Sequence, residues 1–96
     1  MNELHKLELL DLSDNLICRI LAEDVKHMPE SLVTLDLSGN QLTVLKDMQN
    51  LNDLLNLSHI YIQRSKISSL KHYKQTLVFL IPTLSTIDGK DINDID

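Results

Sequence analysis

The chain has 96 residues and a formal charge of −5, enough for one modest core. That charge, with nine cations scattered among fourteen acids, argues against a nucleic-acid backbone as partner. Cys18 is the only cysteine, so no disulfide can form within the chain, which favours a reducing compartment.

The opening segment, MNELHKLELLDL, alternates charge with leucine and has no apolar core, so it does not read as a secretory signal. A short strand follows at Leu10-x-Leu12, where alternation at period two points both aliphatics to one side. Three residues later Asn15 marks a turn. An amide there both donates and accepts, so it can satisfy turn backbone that would otherwise be stranded in the interior. Leu21, Val25 and Met28 then space as one helical face, with Pro29 placed to stop the helix.

The same frame returns 25 residues on, as Leu32…Leu35-x-Leu37…Asn40-x-Leu42, with a second helical face at Met48, Leu51 and Leu55. It returns again as Leu57…Ile60-x-Ile62…Ser65-x-Ile67. Ser65 replaces the amide with one hydroxyl, so either the ladder ends there or a water completes it. The third helical face runs Leu70, Tyr73, Leu77 and Leu80 or Ile81, with Ser68 or Ser69 as N-cap and Pro82 as stop. Leu84 and Ile87 should then close the core. Asp88 and Gly89 should turn the chain out, leaving GKDINDID as a polar cover or frayed end. Leucine fills 20 of the 96 positions while Phe79 is the only phenylalanine, as suits one packing slot used repeatedly.

LxxLxLxxNxL, twice intact and once as LxxIxIxxSxI, resembles the leucine-rich repeat. One copy could arise by chance in such a chain; three in phase do not. The resemblance implies an α/β fold, a short right-handed solenoid with a parallel sheet on the concave face and helices on the convex face. It divides one domain, 1–96, into repeats of about 4–28, 29–53 and 54–79 with a cap at about 80–92. The tail, Ile81-Pro82-Thr83-Leu84-Ser85-Thr86-Ile87-Asp88-Gly89, is similar to the cap of an intracellular subgroup. That subgroup includes the spliceosomal A-prime protein, acidic nuclear phosphoproteins, tubulin-cofactor relatives and axonemal proteins. At the other end MNELHK is too short to cover the first coil, which leaves Leu4, Leu7 and Leu9 near an open edge.

Catalysis finds no support. His5, His27, His59 and His72 lack metal-ligand spacing, two glycines build no phosphate loop, and the acidic tail lacks a calcium-loop pattern. Cys18, expected half-buried, has no His partner in reach. Asn56-Leu57-Ser58 is a glycosylation sequon only by coincidence, since Leu57 opens a core strand. No enzyme activity, metal or cofactor is expected.

Function should lie where the repeat does not pack. Asp11, Asp36 and Tyr61 form one outward column, Leu9, Thr34 and His59 a second, and Ser13, Ser38 and Gln63 a third, with Thr86 and Asp88 as a possible fourth strand. An acidic pair beside Tyr61 and His59 mixes charge with an aromatic anchor, as protein interfaces do. The reading is a non-catalytic module binding another protein through the concave sheet at Asp11, Asp36, His59, Tyr61 and Gln63, with Asn15, Asn40 and Ser65 as the turn ladder. Two alternatives stand beside it: a ribonucleoprotein-associated subunit, which would need a basic rim, and a truncated or self-associating piece joined through the uncapped first coil. Nucleic acid and membrane are not expected partners. The location reads as cytoplasmic, with nuclear or ciliary and axonemal sites as options.

Overall fold

The structure, a computed structural model, describes residues 7–95. The edge expected at Leu4 and the whole of MNELHK lie outside the described residues. Five strands form one sheet in chain order: β1 (Leu9–Asp11), β2 (Thr34–Asp36), β3 (His59–Tyr61), β4 (Thr86–Ile87) and β5 (Lys90–Asp91). β1 through β4 are parallel, and β5 pairs antiparallel to β4.

The register carries the repeat into space. Leu10 pairs with Leu35 and Leu35 with Ile60, an offset of 25 at both junctions. Ile60 pairs with Ile87, so the last lap takes 27 residues. Beyond the strands the ladder continues: Leu12 N donates to Asp36 O at 2.9 Å and Leu37 N to Tyr61 O at 2.8 Å. The inward aliphatics Leu35, Leu37, Ile60, Ile62 and Ile87 are fully buried. Their counterparts in the first lap, Leu10 and Leu12, are half-buried.

The convex side departs from the uniform helices expected. Among the described residues only Ala22–Lys26 (α1) and Tyr73–Leu80 (α2) are α-helical; the second lap uses a 3₁₀ segment, Leu45–Asp53. A tighter coil eclipses side chains at i and i+3, so Met48, Leu51 and Leu54 go inward. Leu55, expected on that face, is 78% exposed. The third helix begins later than the Ser68 or Ser69 cap implied. Those serines sit in a 3₁₀ turn at Ile67–Ser69, where their hydroxyls donate to Ser65 O and Lys66 O, and the residue before α2 is His72 in the left-handed region. Pro29 follows the first helix end at a distance of three residues, and Pro82 directly follows the Ile81 cap. Cys18 is exposed, not half-buried.

The convex segments bind neighbouring laps through side chains as well as contacts. Asp47, buried in the 3₁₀ segment, takes both Arg19 Nε at 2.6 Å and Arg19 Nη2 at 2.9 Å, and also Ile20 N at 3.3 Å. Asn50 Nδ2 donates to Ile20 O at 2.8 Å. Both backbone groups of buried Ile20 are thus satisfied from the next lap. The Arg19 guanidinium holds the Asp47 carboxyl below the usual carboxylate range, against the opposing effect of burial.

The tail is no frayed end. Asp88 (φ 54°) and Gly89 (φ 83°) both adopt positive φ between β4 and β5, the backbone of a two-residue type I′ hairpin, for which Asp-Gly is a favoured pair. A 3₁₀ turn at Ile92–Asp94 follows, opened by Asp91, whose carboxylate accepts Asn93 N. Asp88 faces inward instead of joining the concave columns. Its Oδ1 accepts Ile62 N at 2.7 Å and its Oδ2 accepts the Tyr73 hydroxyl at 2.6 Å. Ile62 N therefore finds a carboxylate where Leu12 N and Leu37 N find a strand carbonyl. Burial, then the adjacent Asp88 carboxylate, push the Tyr73 hydroxyl pKa up.

The turn amides differ by lap. Asn40 is buried and bonds two coils: Nδ2 reaches Leu12 O and Leu37 O at 2.9 Å each, while Oδ1 accepts Ile17 N at 3.1 Å. Asn15 is exposed and its amide donates only to Leu12 O and Ser13 O of its own turn. Ser65 closes its own turn through Ile62 O at 2.7 Å, so the inter-coil ladder ends at Asn40.

Two outcomes follow for stability. Asn40→Ala strands buried backbone groups and should cost about 1–3 kcal/mol by urea denaturation, whereas exposed Gln41→Ala should be near-silent. A carboxylate with a lowered folded pKa stabilises fully above the unfolded value of about 4, and that stabilisation is lost as pH falls through the folded value. Asp47→Asn should therefore weaken the fold at neutral pH and flatten the loss of stability between about pH 5 and pH 3; parallel acid limbs would contradict the pairing.

Candidate protein-binding face

Parallel strands about 4.8 Å apart bring the outward residues into the predicted columns. Asp11 pairs in register with Asp36 and Asp36 with Tyr61; Leu9 pairs with Thr34, Thr34 with His59, and His59 with Thr86. His59 Nδ1 lies 2.7 Å from Thr86 Oγ1, which fixes its ring on the sheet. Gln63 is exposed beyond β3, and Ser38 is buried and takes no place on the open face. Tyr61, half-buried, lays its ring edge beside Gly89 of the terminal hairpin.

The two aspartates have a structural task. Asp11 Oδ1 accepts Ser13 N at 2.9 Å and the Ser13 hydroxyl at 2.5 Å. Asp36 Oδ1 accepts Ser38 N at 2.9 Å. Both therefore close the turn at their strand end as an Asx-turn does, which explains acids at positions that β-propensity disfavours. The Ser13 bonds hold the Asp11 carboxyl below its ordinary pKa. In both residues Oδ2 makes no hydrogen bond among the described residues, and a partner's donor can use it. Asp11 is exposed and Asp36 half-buried.

A further column escaped sequence reading. Asp14 (φ 56°), Gly39 (φ 71°) and Arg64 (φ 58°) precede Asn15, Asn40 and Ser65 and all take the left-handed conformation. Each turn thus needs one αL residue, and the 25-residue step stacks them. Arg64 Nη1 bonds Asp14 Oδ1 at 2.7 Å across two laps. The pair meets over Gly39: a Cβ there would collide with Asp14 Oδ1 and press on Arg64 Nη1. The signal was present as the residue before each turn amide, but it is legible only once φ is known to be positive.

Among the described residues no group of three or more His, Cys, Asp or Glu could hold a metal ion, and no helix is long and apolar enough to cross a membrane.

Gly39→Ala should lose about 1–2 kcal/mol from the left-handed backbone alone. In that background the coupling between Asp14→Ala and Arg64→Ala, small at this exposed site, should vanish in a double-mutant cycle. A coupling that survives would place the ion pair elsewhere.

Comparison with known proteins agrees with this geometry. The family described as leucine-rich repeat matches residues 1–96. The human U2 small nuclear ribonucleoprotein A' is 31% identical over 89 residues, covering 93% of this chain and 34% of that protein. The chain thus spans about a third of the length of that relative. The crystal structure of the Drosophila melanogaster SNF/U2A' complex superposes with a TM-score of 0.82 at 27% identity, over 92% of this chain and 50% of the other. The Chaetomium Mex67:Mtr2 structure, at 24% identity and TM-score 0.74 over 90% of this chain and 56% of the other, shares the fold. The chain belongs to the leucine-rich repeat family.

Proposed function

We propose that the chain is a non-catalytic protein-binding module associated with a ribonucleoprotein, and that it engages its partner through the concave sheet. The observation that carries this is the pair of columns Asp11–Asp36–Tyr61 and Thr34–His59–Thr86, held in register by continuous backbone ladders. Such a surface loses little conformational entropy on binding because the sheet is already ordered. Tyr61 supplies an aromatic anchor, His59 and Gln63 supply polar contacts, and the free Oδ2 atoms of Asp11 and Asp36 accept donors. The U2A' relative is named as part of a nuclear ribonucleoprotein, and the Drosophila one is found in a complex with SNF. Those names support a protein partner in a ribonucleoprotein setting and favour the nucleus over the cytoplasm.

Tyr61 and Gln63 are the clean probes, because Asp11 and Asp36 also close turns. Tyr61→Ala with Gln63→Ala should leave the circular dichroism spectrum unchanged. Recovery of ribonucleoprotein-associated protein from RNase-treated nuclear extract should fall at least tenfold. Equal recovery by the variant would refute the concave face as the contact, and loss of all recovery on RNase treatment would replace the protein contact with an RNA one.

Self-association is a second reading, favoured by the exposure of Leu9 (57%), Leu16 (77%) and Leu21 (47%), all in the first lap. It requires a mass that rises with concentration in light scattering; a constant monomer mass excludes it.

A further inference from the structure

Charge is divided unevenly along the coil. Residues 54–87 contain no Asp or Glu but hold Arg64, Lys66, Lys71 and Lys74. Every acid of the described chain therefore belongs to the first two laps or to the terminal hairpin and tail. The hairpin acids Asp88 and Asp91 are bound to Ile62 N, Tyr73 and Asn93. Lys90, on the exposed strand β5, joins Lys74 and His72 around one hollow of about 360 Å³ at the junction of α2 and the hairpin. Among the described residues Lys66, Lys71, Lys74 and Lys90 form no ion pair. A second hollow, between the loops of the second and third laps, is lined by Lys66 and by Arg64, the latter already paired with Asp14.

Two aliphatic side chains line the first hollow among mainly polar neighbours. Leu70 is 44% exposed there and Ile95 is half-buried beside it. Lys74 Nζ stands 5.8 Å from the Tyr73 ring centroid, which holds its stem against the wall. Aliphatic side chains set among cations select between anions. A phosphate backbone has no group for the aliphatic side chains, and the one aromatic ring there, Tyr73, is half-buried with its hydroxyl bonded to Asp88 and Lys74 near one face, which leaves little ring for a base to stack on. A short peptide with an aliphatic side chain flanked by carboxylates satisfies both parts at once.

We infer that this flank, centred on Leu70, His72, Lys74, Lys90 and Ile95, is a second docking site, and that it takes an acidic protein segment carrying one aliphatic residue. It lies on a different part of the solenoid from the concave columns, so one partner's segment or two partners can occupy the molecule together. Affinity at such a site is modest and electrostatic, falling with salt as screening grows.

The test uses the full 96-residue chain and a fluorescein-labelled peptide, Glu-Asp-Leu-Glu-Asp, with Glu-Asp-Ser-Glu-Asp and Gln-Asn-Leu-Gln-Asn as controls. Anisotropy should report binding of the first peptide that is at least fivefold tighter than either control and weakens at least fivefold from 50 to 300 mM salt. Amide shifts in a nitrogen-15 spectrum should cluster at 70–75 and 90–95. Lys74→Glu with Lys90→Glu, the first half-buried and the second exposed, should abolish binding without changing the thermal midpoint by more than a few degrees. Shifts confined to 34–63, or equal binding of all three peptides, would overturn the inference. So would tighter binding of a twelve-base-pair RNA duplex at the same amides, which would give the flank to nucleic acid. Because Tyr61 and Gln63 are untouched by the charge variant, failure here leaves the concave-face reading to its own experiment.

Discussion

The structure depends on one constraint: each lap must turn inward at the end of its strand without leaving backbone groups unpaired. Asn40 meets it most completely, with one side chain joining Leu12 O, Leu37 O and Ile17 N across two laps. A buried donor or acceptor left alone costs on the order of 1–3 kcal/mol. A hydrophobic residue of the same size would lose several such bonds at once. The fixed step of 25 follows from this, because the amide reaches the neighbouring coil only if the strands above and below keep register. Aliphatic stacking of Leu35 on Ile60 is then a consequence of the turn as much as a cause of the coil.

Where the ladder stops, other groups take over its task. Ser65 reaches only Ile62 O, and beyond it the last lap is 27 residues long. The hairpin at Asp88-Gly89 then seals the sheet with an antiparallel strand, and the Asp88 carboxylate supplies the acceptor that another parallel strand would have offered to Ile62 N. An open solenoid end exposes apolar core and unpaired ladder groups. Here one side chain closes both defects, since its second oxygen ties Tyr73 and hence α2 to the same point.

The parallel strands, their register and the inward aliphatics were legible in the sequence because period-two alternation repeated three times in phase constrains them heavily. The convex side was less so. Met48, Leu51 and Leu55 fit an α-helical spacing, yet a 3₁₀ segment puts Leu54 inside and Leu55 out, and the two spacings differ by less than one residue per turn. The terminal hairpin was written in Asp-Gly after the β-prone pair Thr86-Ile87, but the acidic run after it reads first as solvated tail. The outward columns were predicted by alternation alone. The turn-closing task of Asp11 and Asp36, and the Asp14–Arg64 pair over Gly39, needed coordinates because they rest on φ and on groups 50 residues apart.

Net charge illustrates how folding changes what a composition means. A chain at −5 reads as repelling other anions. In the fold, however, Asp11, Asp24, Asp36, Asp47, Asp88 and Asp91 accept backbone hydrogen bonds that close turns and caps. Those carboxylates are acidic in the count and structural in practice, and four of them, Asp11, Asp36, Asp88 and Asp91, sit where strands end. The cations Lys74 and Lys90 have no comparable engagement and share one hollow, while Lys66 lines a second. With a screening length of about 8 Å at physiological ionic strength, a partner approaching the first hollow meets local charge and not the molecular total. A locally positive surface on an acidic chain therefore depends on where its acids lie, since a carboxylate that caps a backbone keeps its charge.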